Sequence, residues 1–497
     1  MTSQNASFAE QYLSASFQPP ISHGQVRRLA LEGGGGKGNA YVGALCALEQ
    51  LGVLDRLETV AGSSAGAITA MALSLGMRPP DVFAFMTSTD FSKFFDQHSD
   101  AIPTPGRPYD RTPPSQRASR LIAAATWDQV ITPAAYAGRV VRALRKAAEG
   151  AGSTVVSALL GALYRLEDVT YALAALSAGG IGPLRPAGIP ARFPSSGMGS
   201  LPPSPPPLTD RVVDQLLASL PDYLTSLSLD MGVFSGEVAR DRLARLITER
   251  IAGNVDLATG SSRVGAAVDG RTLTFAQLDS FCSAKKYPLL RVTGSELCSL
   301  RTVIFSGRTT PNFPVADAVR ISMGLPFVYK PYSIKSTGTG LPPCGVYVDG
   351  GVFSNLPLLA YSDAEAAEAI GLRLEIDAPT RIDGFLGLVG QLAKASLLAG
   401  ESSVTADRAE RSIRLDTEPL GLFDFSTDQS TLEKVSARAH LTTMLFFGQG
   451  DRFAPVNLRS GEVLPAALAA PAIRDTWDDL RASVERRRAA AGCVFET

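Results

Sequence analysis

Residues 29–66 read LALEGGGGKGNAYVGALCALEQLGVLDRLETVAGSSAG. An apolar run, read as a short strand over Val26–Glu32, enters a block of glycines, Gly33–Gly38. Residues Ala40–Leu54 follow with Val42, Leu45, Leu48 and Leu51 at helical spacing, and Asn39 stands where a helix N-cap is expected. A second short apolar run, Thr59–Ala61, ends in Gly62-Ser63-Ser64-Ala65-Gly66, and a small-residue helix is predicted over Ala65–Leu75, closed by Gly76 with Pro79-Pro80 beyond it. Strand, helix, strand, helix is the opening of an α/β layer fold. Within it lie two backbone features that chemistry can use, a glycine loop and a serine turn.

Outward from this stretch the pattern changes. Residues 1–26 are polar and predict a loosely ordered tail. Residues 91–229 are broken by prolines, carry two helical patches, Pro133–Ala148 and Ser153–Ala178, and pass through a Gly/Pro/Ser-rich segment, Gly179–Pro207. This region reads as an insertion, either a linker or a lid. Regular patterning resumes at Gly232–Gly236 and continues with a helix over Glu237–Ile251 and a short helix start over Leu273–Leu278. Strands are expected over Tyr287–Thr293, Arg301–Ser306, Val346–Val348 and Arg373–Ile376, with helices over Val315–Met323, Ala364–Ile370 and Leu386–Leu398. A charged helix, Ile473–Ala490, closes a C-terminal tail that begins near residue 451.

Composition narrows the function. The chain of 497 residues is 45% hydrophobic and 19% charged, ample for a sizeable core. A net charge of −1 gives no global field for nucleic acid or an anionic membrane. The five cysteines are dispersed and fit neither a disulfide framework nor a zinc site, so no metal or other cofactor is called for. The N-terminus lacks a basic-then-apolar leader, and no uninterrupted apolar run approaches the roughly 18 residues of a membrane span. A cytoplasmic site of synthesis follows, with export by a route that needs no such leader left open.

Each motif has a bland reading beside the chemical one. The G-x-S-x-G at Gly62–Gly66 is either a tight turn with a capping serine or an elbow that projects the Ser64 hydroxyl at a helix N-terminus. The glycine loop fails as a P-loop, because Gly38 follows Lys37. It fits a dinucleotide fingerprint at Gly33, Gly35 and Gly38, but the next strand ends in Ala61-Gly62-Ser63-Ser64 and lacks the acid that such a site wants. An oxyanion hole beside Ser64 accounts for both glycine motifs with one site. A serine nucleophile needs a base. The three histidines, His23, His98 and His440, sit where surface residues are expected. The better candidate is Asp349, which follows a short apolar strand in Asp349-Gly350-Gly351, otherwise an ordinary turn.

Taken together these residues resemble the patatin-like phospholipases. Gly33-Gly34-Gly35-Gly36-Lys37-Gly38, Gly62–Gly66 and Asp349-Gly350-Gly351 match that family's three motifs in order, and Gly232–Gly236, Thr309–Phe327 and Tyr347–Pro357 are also similar to it. The resemblance spans roughly residues 27–90 and 230–450 of a catalytic domain that, with the insertion at 91–229, runs from 27 to 450. It implies an α/β/α three-layer fold with a mainly parallel sheet. It implies Ser64 as nucleophile with Asp349 as its only partner, backbone N–H groups of Gly34, Gly35 and Gly36 as oxyanion donors, and Lys37 as a phosphate ligand or loop brace; the bland reading of Lys37 is a solvated charge. The activity implied is hydrolysis of fatty-acyl esters of phospholipids or lysophospholipids at a membrane surface. An acyltransferase using the same dyad and a non-enzymatic membrane-docking protein are the alternatives. Ser153–Ala178 and Phe385–Leu398 are the candidate membrane-contact segments. Need for an activating protein partner, and the oligomeric state, stay open.

Overall fold

The computed structural model describes residues 12–14, 17–89, 94, 232–252, 268–335, 338–374, 410–421 and 427–492. The chain divides into two compact units, Met1–Tyr109 with Phe234–Thr497, and Asp110–Val233. Only the last two residues of the second unit are described, so the expected insertion at 91–229, apart from Phe94, and the expected helix over Leu386–Leu398 lie outside the described residues.

The first unit is a mixed α/β fold around an eight-stranded, mostly parallel sheet. Its strands are β1 (Arg28–Leu31), β2 (Thr59–Gly62), β3 (Leu289–Glu296), β4 (Arg301–Ser306), β5 (Tyr332–Ile334), β6 (Gly345–Asp349), β7 (Ala369–Leu374) and β8 (Ser412–Leu415). The spatial order is β8-β7-β1-β2-β3-β6-β5, with β4 also paired to β3. The first five of these run parallel. The pairings of β4 and β6 with β3, and of β5 with β6, are antiparallel. All four residues of β2 and all six of β7 are buried, which is why they read as continuous apolar runs without alternation. Ala30, Ala61 and Ala369 of the sheet pack with Leu356, Leu358 and Tyr361, so the chain beyond β6 covers one face of the sheet.

Helices α1 (Tyr41–Gln50), α2 (Ala65–Ser74) and α3 (Pro79–Ser88) follow in the first third of the chain. Helix α1 begins after Ala40, and the Asn39 side chain turns back to donate to the Gly36 carbonyl at 2.9 Å, so Asn39 secures the glycine loop and caps nothing. Helix α2 ends at Ser74 with Gly76 at φ 74° just past it, as expected, and Pro79 and Pro80 lie beyond. They open α3, where a missing N–H costs nothing. Farther on come α4 (Glu237–Ala252), α5 (Phe275–Lys285, capped by Thr274), α6 (Val315–Ser322) and the single turn α7 (Gly351–Ser354). The helix expected over Ala364–Ile370 is only one turn, Asp363–Ala366; β7 takes the rest, because Ala369–Leu374 pairs with β1 on one edge and β8 on the other. Helices α8 (Gln429–Phe446) and α9 (Ala466–Gly492) complete the unit.

Described residues of the expected loose tail are packed: Tyr12, Ile21 and Val26 are buried. Tyr12 donates its hydroxyl to the Ser412 carbonyl at 3.2 Å and sets its ring edge-on to Phe446 at 5.6 Å. No helix among the described residues is long and apolar enough to cross a membrane.

Candidate active site

Strand β2 delivers Ser64. Its last residue, Gly62, stands opposite Val292 of β3, and the chain then turns sharply into α2. Ser64 makes this turn with φ 50° and ψ −123°, a left-handed conformation that costs a non-glycine residue about 1–3 kcal/mol and persists only where the surroundings impose it. They do. A Cβ on Gly62 would overlap the Gly66 carbonyl, and one on Gly66 would overlap the Leu31 carbonyl, so the two glycines let strand and helix close to backbone contact around the serine. The Ser64 N–H donates to Ser322 Oγ at 3.0 Å. Ser63 is fully buried, whereas Ser64 is partly exposed at the start of α2.

Strand β6 delivers Asp349 from the opposite direction. Residues 291–292 of β3 pair with both β2 and β4, and residues 294–296 pair with both β4 and β6. A strand has two edges, so β2 and β6 share one of them and approach each other end to end. Gly62 sits opposite Val292 and Asp349 opposite Gly294, two residues or about 7 Å along the same edge. The C-terminal end of α6 ties both arrivals together. Ser322 takes the Ser64 N–H on its hydroxyl and the Gly350 N–H on its carbonyl at 3.2 Å, and the Gly324 carbonyl accepts from Asp349 N at 2.9 Å. Gly350 is glycine because a Cβ there would overlap the Thr293 carbonyl of β3.

The Asp349 carboxyl is 1% exposed. Its Oδ1 accepts from the Gly351 N–H at 2.8 Å, while Oδ2 has no hydrogen bond of regular geometry among the described residues. Burial pushes its pKa up to about 7; the Gly351 N–H and the nearby Ser64 hydroxyl both pull the other way. A buried carboxyl poised near neutrality, with one oxygen held by the Gly351 N–H and the Ser64 hydroxyl close by, has the properties of a general base.

The glycine loop lies against the serine. It is a 3-10 turn, Gly35–Ala40, begun by Gly34 and by Gly35 at φ 54°. Gly33 is pinned by the Asn355 carbonyl, which accepts its N–H at 3.2 Å, and a Cβ on it would come within 2.8 Å of the Ser64 Cβ. The N–H groups of Gly34, Gly35 and Gly36 find no acceptor among the described residues. Three unengaged backbone N–H groups, in a loop whose Gly33 packs against Ser64, are the kind of donor that can hold an oxyanion. Lys37 is 8% exposed and engaged with its surroundings, which overturns its reading as a solvated charge.

His23 and His440 find their partners elsewhere. His440 is buried, which corrects its expected surface position. Its Nε2 meets Gln50 Oε1 at 3.0 Å, its ring stands edge-on to Phe453, and burial lowers its pKa to about 3. His23 belongs to a 3-10 turn against Phe447, and His98 lies outside the described residues. Sequence reasoning passed over Ser322 and Asn355. The signal for both was available, since each lies in a stretch that resembled the family, but nothing in a sequence says that Ser322 reaches Ser64 across 258 positions.

The fold and its elbow define an α/β protein with a serine and a carboxylate brought together at the ends of facing strands. A family model described as patatin-like phospholipase matches residues 29–361, and the chain belongs to that family. It therefore falls among lipid hydrolases. It is 31% identical over 135 residues to the uncharacterized protein YqhO of Bacillus subtilis (strain 168), a match covering 25% of this chain and under half, 45%, of that relative. Among solved structures, VipD from Legionella pneumophila is similar at TM-score 0.40 and 16% identity, over 92% of this chain and 74% of that one. The type III effector protein ExoU is similar at TM-score 0.32 and 17% identity, over 93% and 62%. ExoU in complex with SpcU from Pseudomonas aeruginosa is similar at TM-score 0.31 and 16% identity, over 95% and 61%.

Proposed function

We propose that this chain hydrolyses fatty-acyl esters of phospholipids or lysophospholipids with Ser64 as nucleophile and Asp349 as its base. The observation that carries this reading is the buried Asp349 carboxyl, with pKa about 7, one oxygen held by Gly351 N and the Ser64 hydroxyl near the carboxyl. Asp349 takes the Ser64 proton as Oγ bonds to the ester carbonyl carbon. The carbonyl oxygen, now an oxyanion, is held by the N–H groups of Gly34, Gly35 and Gly36. Collapse breaks the bond to the lipid alcohol, which leaves with the proton from Asp349. Water then enters, loses a proton to Asp349 and releases the fatty acid. Lys37, buried within the loop, keeps these donors in place.

Incubation with a phospholipid labelled in its acyl chains tests this reading. The wild type should release free fatty acid, and Ser64→Ala and Asp349→Asn should each lose on the order of 10³-fold or more of the rate. An unchanged rate in either variant overturns the dyad.

A further inference from the structure

Asn355 follows α7 directly and is 4% exposed. Its Nδ2 donates to the Gly33 carbonyl at 3.2 Å and to Glu32 Oε1 at 3.3 Å. Both neighbours are acceptors, so the amide can be oriented only one way, with nitrogen toward them. The other atom, Oδ1, is then a buried carbonyl oxygen without a hydrogen-bond partner among the described residues. Gly33 shows where it points. A Cβ built there would lie 2.5 Å from Asn355 Oδ1 and 2.8 Å from Ser64 Cβ, so the orphan oxygen and the Ser64 side chain crowd the same side of Gly33 and are close neighbours.

Buried acceptors are ordinarily satisfied, and an exception needs a reason. An orphan acceptor beside the nucleophile calls for a donor that arrives with the reaction. An ester substrate offers none at its reacting centre. A water entering after the first product has left carries two O–H groups, and Asp349 can take only one of the protons.

We propose that Asn355 Oδ1 accepts the second O–H of the water that cleaves the acyl-enzyme, and so orients that water against the acyl carbon. The inference rests on the dyad reading of Ser64 and Asp349. In this step the water oxygen bonds to the acyl carbonyl carbon and one of its protons passes to Asp349. The other proton remains on that oxygen, directed at Asn355 Oδ1. The tetrahedral intermediate collapses by breaking the bond from carbon to Ser64 Oγ. Oγ recovers the proton from Asp349, and the fatty acid departs with the O–H that Asn355 had held. Asn355 would thus serve deacylation and leave acylation nearly alone.

Rapid mixing with p-nitrophenyl butyrate separates the two steps. Wild type, Asn355→Ala, the near-isosteric Asn355→Leu, Glu32→Gln and Ser64→Ala are compared, with intact-mass detection of the acyl adduct. In both Asn355 variants the deacylation rate should fall at least ~10-fold, the loss of one good hydrogen bond. Their acylation should stay within about 3-fold, giving a burst of p-nitrophenolate and a visible adduct on Ser64. Glu32→Gln, which perturbs the Nδ2 clamp but spares Oδ1, should accumulate no adduct. Equal slowing of both steps in the Asn355 variants, or no change in either, overturns the proposal while Ser64→Ala is inactive. Undiminished turnover by Ser64→Ala overturns the dyad and the proposal with it.

Discussion

Gly62 and Asp349 lie on the same edge of one strand, opposite Val292 and Gly294, with their chains running toward each other. The parallel sheet supplies the serine from below and the antiparallel strand supplies the carboxylate from above. The gap between them, about two residues of β3, is where the elbow places Ser64. Proximity is therefore set by sheet register, which is hard to disturb without unpairing a central strand.

Register alone does not fix the orientation of the elbow, and Ser322 is the second constraint. Ser322→Ala removes the acceptor for Ser64 N while keeping its carbonyl bond to Gly350. One hydrogen bond contributes about 0.5–1.5 kcal/mol, so thermal unfolding should shift down by only a few degrees. Ester hydrolysis should fall at least ~10-fold, because a misdirected nucleophile loses more than the bond itself. A calorimetric scan beside a rate measurement checks the disproportion.

The raised pKa of Asp349 makes two linked predictions. As base it must be ionised, so kcat/KM for ester hydrolysis should rise with pH through about 7 and level off above it. Stability runs the other way. The unfolded carboxyl ionises near its ordinary value of 3.8, the folded one near 7, so the folded state loses stability as pH climbs through that window and the full cost is present above it. Asp349→Asn should therefore stabilise the protein by on the order of 2–4 kcal/mol at pH 8 and by little at pH 4, while abolishing hydrolysis. Denaturant unfolding of both proteins at the two pH values measures this.

Glycine tolerance should divide by what a Cβ would meet. At Gly66 it meets the Leu31 backbone, which cannot move, so Gly66→Ala should unfold the protein or cost more than about 3 kcal/mol. At Gly34 it meets the end of the Leu374 side chain, which can change rotamer, so Gly34→Ala should fold at a cost of about 1 kcal/mol. Soluble yield and melting temperature of the two variants distinguish the cases.

His440 should be irrelevant to the chemistry. It is neutral, buried and paired to Gln50 between α1 and the segment around Phe453. His440→Gln should leave the pH-rate profile unchanged within about 2-fold, whatever it does to the melting temperature. A lost alkaline plateau would reveal a histidine base.

Much of this was legible in residues 29–66. Apolar runs predicted β1 and β2, and the glycine pair around Ser64 predicted a turn that only close backbone approach explains. The end of β6 was readable from Asp349-Gly350-Gly351. What the sequence did not show follows from non-local forces. Ala369–Ile370 looked helical because its neighbours have helical propensity, but pairing to β1 overrode them. Strands β5 and β8 are short and held mainly by their partners. Ser322 and Asn355 matter through contacts with residues hundreds of positions away, and no local pattern encodes those.

The dyad is tested most directly by a fluorophosphonate that reacts covalently with activated serines, followed by peptide mapping of the wild type and Asp349→Asn. The account predicts a single adduct on Ser64, formed on the order of 10³-fold more slowly when Asp349 is replaced. An adduct on any other serine, or labelling of Ser64 that Asp349→Asn does not slow, would contradict it.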